Sequence, residues 1–214
     1  MTDHLPIVCW SCRGPTPAGL FCATCQALLP PESGMDGFRL FGVEPAFDLD
    51  PAHLESRHRV LQKQLHPDFF AHRGATERRL SLEWTTRLNE SWQTLTDPVA
   101  RAVLLLAHLG WKAPERPVPD LEFLEEVMTL REALEEVDPL AADALPRLAA
   151  MKSAARDRLQ NEVRQLSEAF GVHRSAPDEL QLIWISRLVD RLRYHRRYLE
   201  ELDRLEDRAF DPET

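Results

Sequence analysis

The sequence predicts an all-α fold, in which a helical hairpin is followed by an antiparallel three-helix bundle and preceded by a small cysteine-rich module. Three observations predict it. Apolar residues recur every three or four positions over most of the chain, and Asp-Pro pairs mark helix starts at Asp50-Pro51 and Asp97-Pro98. A chain with only eight Gly and two Tyr also has little material for a large sheet. At 214 residues, 43% hydrophobic and 29% charged, the composition is that of a folded globular protein of one domain or two small ones.

Residues 1–34 hold all four Cys and three formally charged side chains, Asp3, Arg13 and Glu32. Cys9-x2-Cys12 and Cys22-x2-Cys25 lie nine residues apart, and each CxxC turn aims two thiolates at one point. Gly14, Pro15, Pro17 and Gly19 favour the reversal that brings the two turns together. The segment has too few apolar residues to fold alone, so a bound ion would supply most of its ordering free energy. Disulfides are disfavoured by the lack of an export signal. A redox CxxC would open a helix after a strand, which this pattern does not offer. We expect a zinc-knuckle module in which Cys9, Cys12, Cys22 and Cys25 hold one structural ion per chain, with every ligand position filled and no catalytic role. We expect zinc, although four thiolates alone do not separate it from iron.

Residues 35–110 are nearly neutral, with ten acids against nine bases. Asp50-Pro51 caps a helix whose core stripe is Leu54, His58, Leu61 and Leu65, and which ends before Pro67. A second helix from about Thr76 carries Leu80, Trp84, Leu88, Trp92 and Leu95. Asp97-Pro98 opens a third, closed by Gly110. His66-Pro67-Asp68 lies in the loop between the first two. A plain surface turn is one reading of it. Catalysis is a poor one, because no nucleophile, second carboxylate or phosphate-binding loop accompanies His66 and Asp68, and we expect no enzyme. Trp111–Pro119, with three Pro in nine residues, reads as a stiff linker.

Residues 120–214 predict helices near 120–138, 140–170 and 178–208, the second ended by Gly171. In the first, Phe123, Val127, Leu130, Leu134 and Val137 form one seam at a/d spacing. At 100° per residue, Leu124 and Met128 fall about 100° and 140° from that seam, and Leu121 about 160°. Glu132 and Glu136 continue their stripe, so an exposed apolar patch should run into carboxylates. The middle helix is expected to bury Leu145, Leu148, Ala155, Leu159, Val163, Leu166 and Phe170. The last is expected to bury Trp184, Leu188, Leu192, Leu199 and Leu202, with Tyr194 about 110° off the seam and able to complete the patch. Contiguous exposed apolar area usually marks an interface. Ordinary surface exposure, or burial against the preceding helices, would also account for it. The five Arg of Arg187–Arg197 surround their helix and read as a solvated face paired with the acidic 120–138 helix.

The order of these motifs carries a resemblance. FRLFGVEP, a helix ending QKQLHPDFF, a helix containing TRLNESWQTL, and DPVARAVLLLAHLG follow one another from Phe38 to Gly110. This stretch resembles the J-domain of DnaJ-like co-chaperones, and most closely that of the HscB branch. DLEFLEEVMTLREALEE and the RLRY at Tyr194 resemble the HscB segment that docks the iron–sulfur scaffold protein IscU, and the CxxC pair resembles the metal-binding extension of some HscB proteins. Leu65 and Phe69 depart from the aromatic and the Lys common beside the HPD motif, and Glu125 and Thr129 depart from the apolar and acidic residues of some members.

The resemblance implies four domains: a tetracysteine module over 1–34, a J-domain over 35–110, a linker over 111–119, and a scaffold-binding three-helix bundle over 120–214. It implies that His66, Pro67 and Asp68 engage a DnaK/HscA-type ATPase chaperone, with Arg57, Arg59 and Lys63 offering positive charge to an acidic partner surface. It places Leu124, Met128, Glu132, Glu136 and Tyr194 at the scaffold contact. The expected function is that of a co-chaperone which stimulates the ATPase and delivers IscU to it. A general J-protein with another client is one rival. A zinc-ribbon nucleic-acid binder is a second, disfavoured by a formal charge of −9 and by the single Arg between the knuckles. With no apolar run of about eighteen residues, and an opening MTDHLPIVCW that has neither signal nor transit character, we expect a cytoplasmic protein with no membrane partner.

Overall fold

A computed structural model describes residues 6–112 and 119–210, so six of the nine linker positions, 113–118, lie outside the described residues. The described chain is mostly helical. It opens with a two-stranded antiparallel hairpin, β1 (Ile7–Val8) and β2 (Pro15–Thr16), with Ile7 opposite Thr16. Eight helices follow among the described residues: α1 (Gly37–Phe41), α2 (Pro51–Leu65), α3 (Pro67–Phe70), α4 (Ala75–Thr96), α5 (Pro98–His108), α6 (Leu121–Glu135), α7 (Ala144–Ser175) and α8 (Glu179–Phe210). None is long and apolar enough to cross a membrane.

The chain forms two compact units. The first comprises residues up to Pro45 together with Leu49–Ala100, so the cysteine module and the HPD-bearing helices share one unit. Asp50 caps α2, its carboxylate accepting the Ala52 N–H at 2.9 Å, with Pro51 at the first helical position. Helices α1, α2 and α3 all pack on α4. Leu54, Leu61, Leu65, Leu80, Trp84, Leu88 and Leu95 are buried there, as the helical spacing predicts, together with Phe38 and Phe41 of α1, whereas the expected core residues His58 and Trp92 are half-buried. Gly42 closes α1 at φ 65, a left-handed cap that favours glycine. His58 stacks on Trp92 with ring centroids 4.5 Å apart, and Phe41 stacks against both, 6.3 Å from His58 and 6.2 Å from Trp92, so the three rings form a triangle.

The second unit comprises Ala46–Asp48 with the chain from Arg101 onward. Helices α7 and α8 form a long antiparallel pair. Side chains of α6 reach both: Arg158 of α7 meets Glu126, Arg191 of α8 meets Asp120, and Leu130 and Val137 join Leu148, Ala155, Tyr198 and Leu202 in one buried cluster. The segment around Phe47 belongs here, its ring stacked on Phe170 at 5.2 Å while Asp48 accepts the Ser167 hydroxyl at 2.7 Å.

Several sequence expectations in this unit need correction. Gly171 does not end α7, which runs to Ser175 and stops where Pro177 restricts Ala176. A helix-interior glycine is tolerated when the rest of the pattern is helical. The helix also starts later than expected, at Ala144, because Asp138 organises a turn by accepting the Leu140 N–H. On α8 the buried stripe is Ile185, Leu188, Val189, Leu192, His195, Tyr198 and Leu202, whereas Trp184 is 36% exposed and Leu199 half-buried. On α7 the expected Leu145, Leu159 and Val163 are half-buried, and Lys152, Glu162 and His173 are buried instead. The polar positions pair inside the bundle: Lys152 with Glu206 at 2.6 Å, and His195 Nδ1 with Glu162 at 2.8 Å.

Candidate functional sites

The four cysteines converge. Cys9 and Cys25 sulfurs lie 3.7 Å apart, those of Cys12 and Cys22 3.8 Å, and all four fall within 4.8 Å of one another. A tetrahedron with metal–sulfur bonds of about 2.3 Å has edges of about 3.8 Å, so the cluster fits a tetrathiolate ion. Each knuckle repeats one local solution. Arg13 and Gln26, the residues after the second Cys, adopt φ 61 and 60, and their N–H groups donate to the carbonyls of Cys9 and Cys22. That left-handed step curls the chain so that both sulfurs of a pair face inward. The Cys25 N–H, with help from Thr24, lowers the Cys22 thiol to about 6 despite its burial. At Cys12 the Gly14 N–H acts in the same direction, yet burial and the three neighbouring sulfurs outweigh it and raise the thiol to about 11. Four thiols so close cannot all ionise without a cation, and a bound ion would relieve that conflict by holding all four as thiolates. It would then brace the fold rather than react, since no coordination position stays open.

At the far end of α2, His66 does not sit in an open loop. It caps α3, a one-turn helix begun by Pro67, with Nδ1 accepting the Asp68 N–H at 3.2 Å. The His66 side chain is 46% exposed and that of Asp68 90%. Phe70 is buried and anchors the turn, while Phe69 is 68% exposed beside the His66 ring. One hydroxyl of α4 secures the last carbonyl before the motif, Ser81 Oγ donating to the Leu65 oxygen at 2.6 Å, while Thr85 Oγ1 lies 3.3 Å from the same oxygen but donates chiefly to the Ser81 carbonyl at 2.8 Å. Sequence reasoning missed both. Of the three bases on α2, Arg57 turns inward and donates to the Phe41 carbonyl at 3.0 Å. Arg59 pairs with Glu55 on the exposed face, and Lys63 is also exposed.

On α6, Leu121, Leu124 and Met128 are 70%, 49% and 62% exposed, and Glu132 and Glu136 are exposed beyond them. Glu136 is held by Arg147 at 3.0 Å. Tyr194 is half-buried rather than standing off the bundle. Its ring meets the Phe123 ring edge-on at 5.6 Å and its hydroxyl donates to the Val127 carbonyl at 3.3 Å, with burial raising its pKa. The structure thus joins Leu124, Met128, Glu132 and Glu136 along one helix and sets Tyr194 against that helix from α8. Asp120 caps α6 and binds Arg191 through two nitrogens, at 3.0 and 2.7 Å, one of the bundle's acid–base pairs.

Comparison with known proteins agrees with this fold. A family described as the HSCB C-terminal oligomerisation domain matches residues 119–203. The chain is 29% identical over 195 residues to the iron–sulfur cluster co-chaperone protein HscB homolog of Arabidopsis thaliana, covering 91% of this chain and 72% of that protein. It is 32% identical to the co-chaperone protein HscB homolog of Colwellia psychrerythraea, covering 83% of this chain and 99% of the relative. The crystal structure of human co-chaperone protein HscB superimposes with a TM-score of 0.78 at 29% identity, over 91% of this chain and 96% of that one.

Proposed function

Because this chain belongs to the HscB iron–sulfur cluster co-chaperone family, a non-enzymatic family, we propose that it stimulates the ATPase of a DnaK/HscA-type chaperone and delivers the scaffold protein IscU to it for cluster transfer. The observation that carries the reading is the His66-Pro67-Asp68 turn. It is exposed, rigidly capped, and set at the end of a helix bearing Arg59 and Lys63. Asp68 offers a charge-assisted acceptor to a cationic partner, and the bases of α2 speed encounter with an acidic surface.

In this reading residues 35–110 trigger the ATPase and residues 120–214 select the cargo, joined by a linker over 111–119. Leu124, Met128, Glu132, Glu136 and Tyr194 form the scaffold contact, its apolar centre flanked by carboxylates. Residues 1–34 form a module held by one zinc ion on Cys9, Cys12, Cys22 and Cys25, zinc being the redox-silent ion that suits a closed tetrathiolate site. Four free thiols fit a reducing, cytoplasmic setting. The test is steady-state ATP hydrolysis by the chaperone titrated with wild-type and His66→Gln protein. The wild type should stimulate severalfold and the variant should not, with helical content unchanged. Equal stimulation by both proteins would remove the HPD turn from the account.

A further inference from the structure

The cysteine module and the HPD turn are both hydrogen-bonded to neighbouring positions of one helix, α4, whose backbone links the two sets of bonds. Trp10, inside the first knuckle, donates its indole N–H to the Leu28 carbonyl at 2.8 Å. Leu28 and Leu29 are fully buried, and the Leu29 N–H donates to the Leu20 carbonyl at 2.8 Å, tying them back to the second knuckle. The Leu29 carbonyl then accepts the indole N–H of Trp84 at 2.7 Å, and Trp84 on α4 is itself 0% exposed. One turn before Trp84 stands Ser81, also 0% exposed, and directly after it Thr85. The Ser81 hydroxyl holds the Leu65 carbonyl, the peptide group that leads into His66, and Thr85, bonded chiefly to the Ser81 carbonyl at 2.8 Å, lies 3.3 Å from the same oxygen.

We propose that Trp84 and Ser81 are positioning residues for the HPD turn, and that through Trp84 the tetrathiolate module sets how firmly that turn is held. The physical reason lies in what the module lacks. It has almost no core of its own, its buried cluster being Cys9, Cys22, Ala27 and Leu29 with Ile7 packed on it, so its order depends on the ion. An ordered module keeps Leu28 and Leu29 seated and gives the buried Trp84 indole its acceptor. A disordered one leaves that N–H in an apolar interior without a partner, a costly state that the helix relieves by shifting. Residues 81–84 cover about one helical turn, so a shift at Trp84 moves the Ser81 hydroxyl relative to Leu65. Two discrete states of the module, filled and empty, thereby bias one element that the HPD turn rests on, which is the requirement for coupling between sites.

The inference rests on the HPD turn as the chaperone contact only for its functional consequence, so the test reads the coupling without any chaperone. Amide exchange across residues 61–73 is measured on the full chain, loaded with zinc alone or stripped with a chelator. This segment holds the Phe69, Ala71 and Arg73 amides that donate to the carbonyls of His66, Asp68 and Phe70. Stripping should speed exchange there severalfold while α7 and α8 keep their protection. Trp84→Phe, with zinc retained at one ion per chain, should produce the same acceleration, and stripping that variant should add little. Ser81→Ala should loosen the same segment, and Ser81→Thr, which keeps the hydroxyl, should restore it. Unchanged exchange on stripping, or effects of stripping and Trp84→Phe that simply add, would overturn the proposal. Chaperone ATPase then separates the two readings. A severalfold rise in the concentration of stripped protein needed for half-maximal stimulation supports the functional link. Coupled exchange with no stimulation even by loaded protein would fault the proposed function and leave the linkage standing.

Discussion

His58 shows how one side chain in the first unit ties stability to pH. Its ring packs against Phe41 and Trp92, its Nε2 is buried without a hydrogen-bond partner, and burial lowers its pKa from 6.5, partly countered by a hydrogen bond to Asn89. The unfolded chain therefore takes up a proton near its ordinary value while the folded chain resists. Stability is complete above that pH and falls as the pH drops through it, levelling only below the depressed folded value. Thermal unfolding followed by tryptophan fluorescence should show a midpoint that declines between about pH 7 and pH 5.5. His58→Phe should flatten that slope, and a variant with the wild-type slope would locate the proton elsewhere. The His66 ring, by contrast, is half-exposed and uses Nδ1 to cap its own turn.

Among the elements, α6 carries the sharpest division between a packed and an open face. The side of its seam was legible from spacing, since Leu130 and Val137 are buried while Leu121, Leu124 and Met128 are exposed, although Phe123, Val127 and Leu134 of the same seam are only half-buried. The doubly substituted Leu124→Ala, Met128→Ala protein should bind the scaffold at least tenfold more weakly by calorimetry, as truncating two central apolar anchors removes about 2 kcal/mol or more. Stimulation of the chaperone without scaffold should persist, and unchanged scaffold affinity would move the cargo site off this face. Other elements were legible in type but not in register. The apolar residues of α8 include Trp184 and Ile185 side by side, and periodicity does not choose between them. The choice is made by α7, whose buried Glu162 pairs with His195 and turns that histidine inward. Buried polar partners more than thirty residues apart leave no local pattern. The same holds for Ser81, whose acceptor Leu65 lies on another helix, and for α3, too short for its pattern to show. The cysteine cluster was fully legible because the CxxC spacing itself fixes which atoms converge.

At the scale of the molecule, the chain forms two compact units with different internal chemistry. The first combines the cysteine module with the HPD helices on a core rich in Leu, Phe and Trp. The second threads paired charges through its helices, with Lys152 held by Asp203 and Glu206, Arg191 by Asp120, and Arg158 by Glu126. Such pairs contribute little stability apiece but penalise misregistered packing, because a slipped helix would strand a charge. In the proposed function, the first unit carries the trigger for the ATPase and the second the face that presents the scaffold to it. The most direct test is steady-state ATPase of the DnaK/HscA-type chaperone with this protein, in the presence and absence of IscU. Stimulation by the protein, raised further by IscU and lost in His66→Gln under both conditions, is the predicted result. Stimulation that IscU leaves unchanged would contradict the account.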